Sequence, residues 1–175
     1  VDTLQTFDGM ENAAVVERDG LRYELATDQP TYTQGDLMVM GYRITVTGRD
    51  SMSFTFGSTQ QIEFLLVDPE GRKRWVWSEG LFFGEAFTGV KLSRGESKMS
   101  FARMRVADAA LPRGEYTLLG FLPVLTTAPG SDEVARTEVR VQVQIEDDPE
   151  PTGLTGTVVG PYGMPAPGAH VTAVP

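Results

Sequence analysis

The chain has 175 residues, enough for one sizeable hydrophobic core and a small extra module. Its 41% hydrophobic and 22% charged residues are typical of a folded protein and argue against disorder. The formal net charge of -9 opposes binding to nucleic acid or to anionic lipid. No apolar run approaches the roughly 20 residues that cross a bilayer, so we expect no membrane insertion. The absence of cysteine excludes disulfides, a thiol nucleophile and thiolate metal sites.

The first half of the chain alternates apolar and polar residues between turn signals, which predicts β-strands. Residues 13–17 and 21–27 flank an Asp-Gly turn and predict a hairpin. Residues 37–46 and 51–56 predict two further strands. Residues 27–36 resemble the start of many extracellular immunoglobulin-like and macroglobulin-like modules, and this resemblance implies that Tyr32 is a packed anchor.

Residues 60–87, QQIEFLLVDPEGRKRWVWSEGLFFGEAF, predict two strands joined by a tight turn, followed by an aromatic-rich loop. The turn falls on residues 68–71, where Pro presets the backbone angle and Gly relaxes the exit. Phe64 lies on the apolar face of the first strand, and Trp75 and Trp77 share one face of the second. We expect these three side chains to pack in the core, because two tryptophans in an apolar hairpin are more typical of packing than of a ligand platform.

The second half continues the same pattern, with strands predicted at residues 90–92, 97–106, 111–122 and 134–146. Residues 111–122 resemble the tyrosine corner of sandwich folds, and the resemblance implies that the Tyr116 hydroxyl reaches back to nearby backbone. No stretch has a helical period beyond one turn at residues 107–110. The fold predicted is all-β, an immunoglobulin-like antiparallel β-sandwich followed by an incomplete C-terminal β-hairpin module.

This pattern predicts four segments along the chain: an N-terminal extension (1–12), the sandwich (13–147), a stiff acidic linker with two prolines (148–152) and a hairpin (153–175). The chain begins with Val1 rather than Met, and we expect both of its ends to be tied down by packing.

Two family resemblances accompany these segments. The run EFLLVDPEGRKRWVWSEGLFF resembles the signature of the bacterial intracellular proteinase inhibitor (BsuPI) family, and the likeness extends from about residue 21 to residue 145. It implies a sandwich that blocks a serine protease with a rigid surface loop. Residues 153–175 resemble the first hairpin of carboxypeptidase regulatory-like modules, which need several more strands to close a core.

The sequence offers little for catalysis. His170 is the single histidine, and no nucleophile-elbow motif accompanies it, so we expect no enzyme activity and no zinc site. The acidic run around the linker lacks the spaced, Gly-turned loop of a calcium site. We therefore expect neither a cofactor nor a metal.

Three groups of residues are candidate partner contacts. Exposed aromatic residues on a Gly-punctuated loop suit a protein contact, and apolar residues of an incomplete hairpin or a free end must be covered somewhere. The candidates are Phe82, Phe83 and Phe87 in the loop, Leu154, Val158 and Val171 in the C-terminal hairpin, and Leu4 and Phe7 near the N-terminus.

Three functions follow from this reading. The one we favour is a non-enzymatic structural or assembly subunit at the cell surface, which adds a terminal strand to a copy of itself and forms filaments. The alternative is an inhibitor whose binding loop is residues 57–61, 78–86 or 126–132. A second alternative is a monomeric spacer domain of a larger surface protein. We expect an extracellular or cell-surface location, with a cytoplasmic one as the alternative.

Overall fold

The computed structural model describes Phe7, residues 9–125 and residues 136–148. The all-β prediction is confirmed. The strands are β1 (Asn12–Arg18), β2 (Leu21–Thr27), β3 (Thr31–Tyr32), β4 (Leu37–Val46), β5 (Ser51–Phe56), β6 (Glu63–Val67), β7 (Lys73–Val76), β8 (Thr88–Ser93), β9 (Ser97–Arg105), β10 (Gly114–Phe121) and β11 (Val139–Ile145). A short 3-10 helix, Val106–Ala109, lies at the predicted single helical turn.

The strands form two main sheets that pack as an immunoglobulin-like sandwich. One sheet has the order β1-β2-β4-β9, and the other has the order β3-β11-β10-β6-β7. All pairs are antiparallel except β3 with β11. A separate two-stranded ribbon joins β5 to β8. The predicted linker and C-terminal hairpin lie outside the described residues.

The core lies between the two sheets and is rich in aromatic residues. Tyr32, Tyr42 and Phe64 are among the largest fully buried side chains, and burying such a side chain stabilises the fold by about 1.5–3 kcal/mol. Trp75 and Trp77 are partly buried and pack against the same core. They lie at the rim because β7 is an edge strand of its sheet.

Two tyrosines tie loops to the sandwich. The Tyr116 hydroxyl donates to the Pro112 carbonyl at 2.8 Å, which is the tyrosine-corner contact that the sequence predicts. The Tyr32 hydroxyl donates to Asp28 Oδ1 at 2.6 Å, and the same oxygen accepts the Val39 amide at 2.9 Å. Burial raises the pKa of the Tyr32 hydroxyl, so it stays protonated at a pH at which an exposed tyrosine ionises.

The outer face of the four-stranded sheet carries an ion pair in which only the carboxylate is buried. Glu24 is almost completely buried and accepts two hydrogen bonds from the Arg43 guanidinium, from Nε and from a terminal nitrogen at 2.8 Å. Arg22 adds a third contact at 3.2 Å. The hydrogen bonds from Arg43 lower the pKa of the Glu24 carboxyl.

The N-terminal segment covers part of this outer face. The Phe7 ring lies 5.9 Å from the Phe101 ring, and the Arg43 guanidinium lies 4.6 Å from the Phe7 ring centre. A Cβ added at Gly41 would lie 2.9 Å from the Phe101 side chain and 3.1 Å from that of Met10. The absence of a side chain at Gly41 therefore leaves the space into which Phe101 and Met10 fit. Phe7, a predicted partner contact, is partly buried on its own sheet.

Candidate protein-contact surface

Three connecting segments leave the five-stranded sheet at the same end. Glu63 at the start of β6 pairs with Phe121 at the end of β10. Leu65 of β6 pairs with Val76 at the end of β7. The residues before β6, after β7 and after β10 are therefore neighbours. They include two of the three loops that the sequence predicts as binding loops, and the third, residues 126–132, lies outside the described residues.

The two described loops are hydrogen-bonded to each other. The Thr59 amide donates to the Gly84 carbonyl at 3.1 Å, and the Gly84 amide donates to Thr59 Oγ1 at 2.8 Å. The Thr88 hydroxyl donates to the Ser58 carbonyl at 2.8 Å, and the Gln61 side-chain amide donates to Thr88 Oγ1 at 3.2 Å. We call residues 57–61 and 78–87 together the loop pair, because the two bonds between Thr59 and Gly84 join them directly and the bonds of Thr88 hold residues 57–61 to the start of β8.

Glu63 fastens the loop pair to the framework. Its side chain is only 8% exposed, and a carboxylate so buried is costly unless donors surround it. Ser78 donates to it twice, from the amide at 3.2 Å and from the hydroxyl at 2.5 Å. The Gln60 side-chain amide donates at 2.8 Å, and the Phe64 amide at 3.1 Å. The carboxylate thus holds one residue from each loop through hydrogen bonds strengthened by its charge.

A chain of aromatic rings makes a second attachment. Phe64 in the core meets Trp77 edge to face at 6.3 Å between ring centres. Trp77 in turn meets Phe83 of the loop at 5.8 Å. Aromatic pairs in such geometry contribute about 0.5–1.5 kcal/mol beyond the area that they bury. Phe83, a predicted partner contact, therefore anchors the loop and is only partly exposed.

Apolar side chains project from the loop pair into solvent. Phe82 is 101% exposed, Phe87 is 77% exposed and Leu81 is 48% exposed. Leu125, the last described residue after β10, lies beside Gly57 and is also exposed. These four are among the seven large hydrophobic side chains exposed in the described part of the chain. Such a concentration of exposed apolar side chains, including aromatics, is typical of a protein-contact surface.

Of the other predicted contacts, only Phe7 is described, and it does not lie at this surface. Phe7 packs on the four-stranded sheet, and Leu4, Leu154, Val158 and Val171 lie outside the described residues. Sequence reasoning missed Glu63, although one signal was available. A single carboxylate between Ile62 and Phe64, both strongly apolar, needs a nearby set of donors.

Residues 9–125 and 136–148 hold no group of three or more His, Asp or Glu side chains placed to bind a metal ion. A groove of about 280 Å³ beside the β6–β7 turn is lined by charged side chains of both signs, whose charges offset one another: Arg72, Arg74, Arg113, Asp68, Glu70 and Glu115. In the same ranges no helix is long and apolar enough to cross a membrane.

Comparisons with known proteins give one family match. A family model described as BsuPI, intracellular proteinase inhibitor, matches residues 25–126, a range that contains the whole loop pair. No curated protein matches the sequence significantly.

Several solved structures resemble the fold at low identity. Spo0M, a sporulation control protein from Bacillus subtilis, is 8% identical with a TM-score of 0.48, and the match covers 74% of this chain and 50% of that one. The C-terminal domain of Wzt is 13% identical with a TM-score of 0.46, covering 95% and 92%. The CARDB domain of the PF1109 protein from Pyrococcus furiosus is 11% identical with a TM-score of 0.41, covering 83% and 98%. Likenesses at this level support no inference about function.

Proposed function

Because the chain belongs to the BsuPI family of intracellular proteinase inhibitors, we propose that it binds a serine proteinase and blocks it with the loop pair. The observation that carries this proposal is the contrast within one loop. Phe82 is fully exposed, while its neighbour Phe83 is anchored on Trp77.

An inhibitor of this kind needs rigidity rather than catalytic groups. Ordering a loop on binding costs about 0.5–1.5 kcal/mol for each side chain that is immobilised, and a loop fixed beforehand avoids that cost. The bonds between Thr59 and Gly84 and those from Ser78 to Glu63 fix the loop pair in the free protein. A non-enzymatic role as a protein-binding module is consistent with this arrangement.

The family description also bears on location. It calls the inhibitors intracellular, which fits the cytoplasmic alternative and gives no support to the extracellular location that we expected. We therefore propose that the protein acts inside the cell.

The assembly hypothesis that the sequence favoured depends on the C-terminal hairpin (153–175) and on the N-terminal segment with Leu4 and Phe7, and of these only Phe7 lies within the described residues. It stays a prediction. Light scattering of the full chain in dilute solution tests it, because filament formation by strand addition predicts a mass that rises with protein concentration.

The inhibitor proposal is tested by measuring inhibition constants against a panel of subtilisin-like and chymotrypsin-like serine proteinases with small chromogenic substrates. We expect nanomolar inhibition of at least one of them. The double variant Leu81→Ala with Phe87→Ala should weaken it. Val15→Ala is the matched control, because Val15 has the same 48% exposure as Leu81 but lies on β1, outside the loop pair. Absence of inhibition across the panel would refute the proposal.

A further inference from the structure

We infer that Phe82 is the residue that enters the specificity pocket of the proteinase, and that the Phe82–Phe83 peptide bond lies where the scissile bond of a substrate would lie. The inference rests on the proposed inhibitory function and specifies its partner: a proteinase that cleaves after large apolar or aromatic residues. It follows from how the chain is held on both sides of Phe82.

On the N-terminal side, the loop is fixed up to Leu81. The Glu79 amide donates to the Val76 carbonyl at 3.3 Å, and the Leu81 amide donates to the Ser78 carbonyl at 3.1 Å. Ser78 itself is bonded twice to the buried Glu63 carboxylate. The backbone immediately before Phe82 is therefore tied to the framework.

On the C-terminal side, the loop is fixed from Phe83 onward. The Phe83 ring packs on Trp77 at 5.8 Å, and Gly84 exchanges two hydrogen bonds with Thr59. Phe82 stands between these two attachments with its whole side chain in solvent. A fixed backbone that presents one free aromatic side chain has the form of a ligand for a deep, narrow pocket.

The chemistry of Phe82 and its surroundings selects the kind of pocket. A hydrophobic slot accepts a phenyl ring, whereas a pocket with a carboxylate at its base selects Lys or Arg. Glu79 and Glu85 lie three residues to either side of Phe82, are exposed and form no ion pair with the described residues. Two unpaired carboxylates favour a pocket whose rim is neutral or basic.

The two attachments also explain how such a complex would resist turnover. Hydrolysis breaks the C–N bond between Phe82 and Phe83, with the hydroxyl of water going to the Phe82 carbonyl carbon and its proton to the Phe83 nitrogen. Both new ends stay held, one through Leu81 and Ser78 and the other through Phe83 and Gly84. The amine therefore remains beside the carbonyl, and the reverse reaction, which releases the same water, is favoured by proximity.

The experiment measures inhibition constants of the full chain and of three variants against two probes: chymotrypsin, which has a hydrophobic pocket, and trypsin, which has an acidic one. We expect Phe82→Ala to weaken inhibition of chymotrypsin about 100-fold, the effect of losing one buried phenyl ring. Phe82→Lys should no longer inhibit chymotrypsin and should instead inhibit trypsin. Val15→Ala, the control at an exposed apolar residue on β1 outside the loop pair, should change either constant by less than about threefold. Thermal melting of each variant checks the fold, and we expect substitutions at these exposed positions to leave the melting temperature unchanged.

A second readout locates the bond directly. The full chain is incubated with a trace of chymotrypsin, and mass spectrometry under denaturing conditions identifies the first cleavage. We expect fragments 1–82 and 83–175, which stay together until the protein is denatured.

The outcomes separate the inference from the function on which it rests. If the wild-type chain inhibits chymotrypsin and Phe82→Ala inhibits it equally well, Phe82 does not enter the specificity pocket, while the inhibitory function stands. Failure of Phe82→Lys to inhibit trypsin, or first cleavage elsewhere, would overturn the substrate-like placement. If the wild-type chain inhibits neither these probes nor the wider panel, both proposals fail.

Discussion

Glu63 is the single side chain on which the geometry of the loop pair depends most. Replacing it with Gln keeps its shape but removes the charge and exchanges one acceptor oxygen for an amide donor. The less costly orientation puts the new amide nitrogen beside the Ser78 hydroxyl and the Gln60 side chain, because the hydroxyl can rotate and the Gln60 amide can turn over at the cost of its bond to the Ile62 carbonyl. The remaining oxygen still accepts the Ser78 and Phe64 amides.

The expected loss of stability follows from these contacts. A hydrogen bond to a charged group contributes about 1.5–3 kcal/mol, against about 0.5–1.5 kcal/mol for a neutral one. In Glu63→Gln the Ser78 and Phe64 amides keep their acceptor but bond to a neutral oxygen, and this change at two bonds should lower the free energy of unfolding by about 2 kcal/mol. Glu63→Ala should lower it by about 4 kcal/mol, because the Ser78 and Phe64 amides then lose their acceptor altogether.

Urea unfolding followed by tryptophan fluorescence measures these changes, since Trp77 lies between the core and the loop. The inhibition constant should weaken in the same order, because a loose loop must be ordered on binding. Glu17→Gln is the control, an exposed carboxylate on β1. If both Glu63 variants unfold and inhibit like the wild-type chain, the carboxylate does not hold the loop pair and our account of its rigidity is wrong.

Three further substitutions test the framework, each by urea unfolding. Tyr116→Phe should lower the free energy of unfolding by about 1 kcal/mol because it removes the bond to the Pro112 carbonyl, and an unchanged value would contradict the tyrosine corner. Tyr42→Phe should raise it by about 1 kcal/mol, because the Tyr42 hydroxyl is buried without a hydrogen-bond partner in the described part of the chain; a clear loss would show that the hydroxyl is bonded. Glu24→Gln should destabilise the protein at neutral pH, and the difference should shrink in acid. Arg43 lowers the pKa of Glu24 in the folded state, so the contribution of Glu24 to the free energy of unfolding is complete above the unfolded pKa of about 4.3. This contribution is lost as the pH falls through the folded pKa. A difference in stability between the two proteins that stays constant down to pH 2 would contradict this.

The sequence predicts the central strands well because their signals are local. The bounds of β2, β4 and β5 match the predicted ones, since alternation and flanking turns define them without reference to a partner. The strand predicted at residues 134–146 begins only at Val139. Val139 pairs with Gly120 near the end of β10, so pairing with a distant strand, which a local pattern does not contain, sets this limit.

The candidate site, likewise, can be predicted from the sequence only in part. Its aromatic composition singles out Phe82, Phe83 and Phe87, but composition does not tell which ring turns inward. Phe83 turns inward because Trp77 offers a surface, and Trp77 does so because β7 ends at the rim of its sheet. The union of the two loops likewise depends on strand pairing, which brings Thr59 to Gly84.

The covering of Gly41 by the N-terminal segment has a consequence for the order of folding. The surface that receives Phe7 and Met10 is completed by Phe101 of β9, which is the strand of that sheet most distant from them along the chain. This surface does not exist until β9 has paired with β4, so the segment docks after the sheet has formed. The segment should also detach first on unfolding. Its amide hydrogens should exchange with solvent through local opening, whereas those of β4 should exchange only through global unfolding.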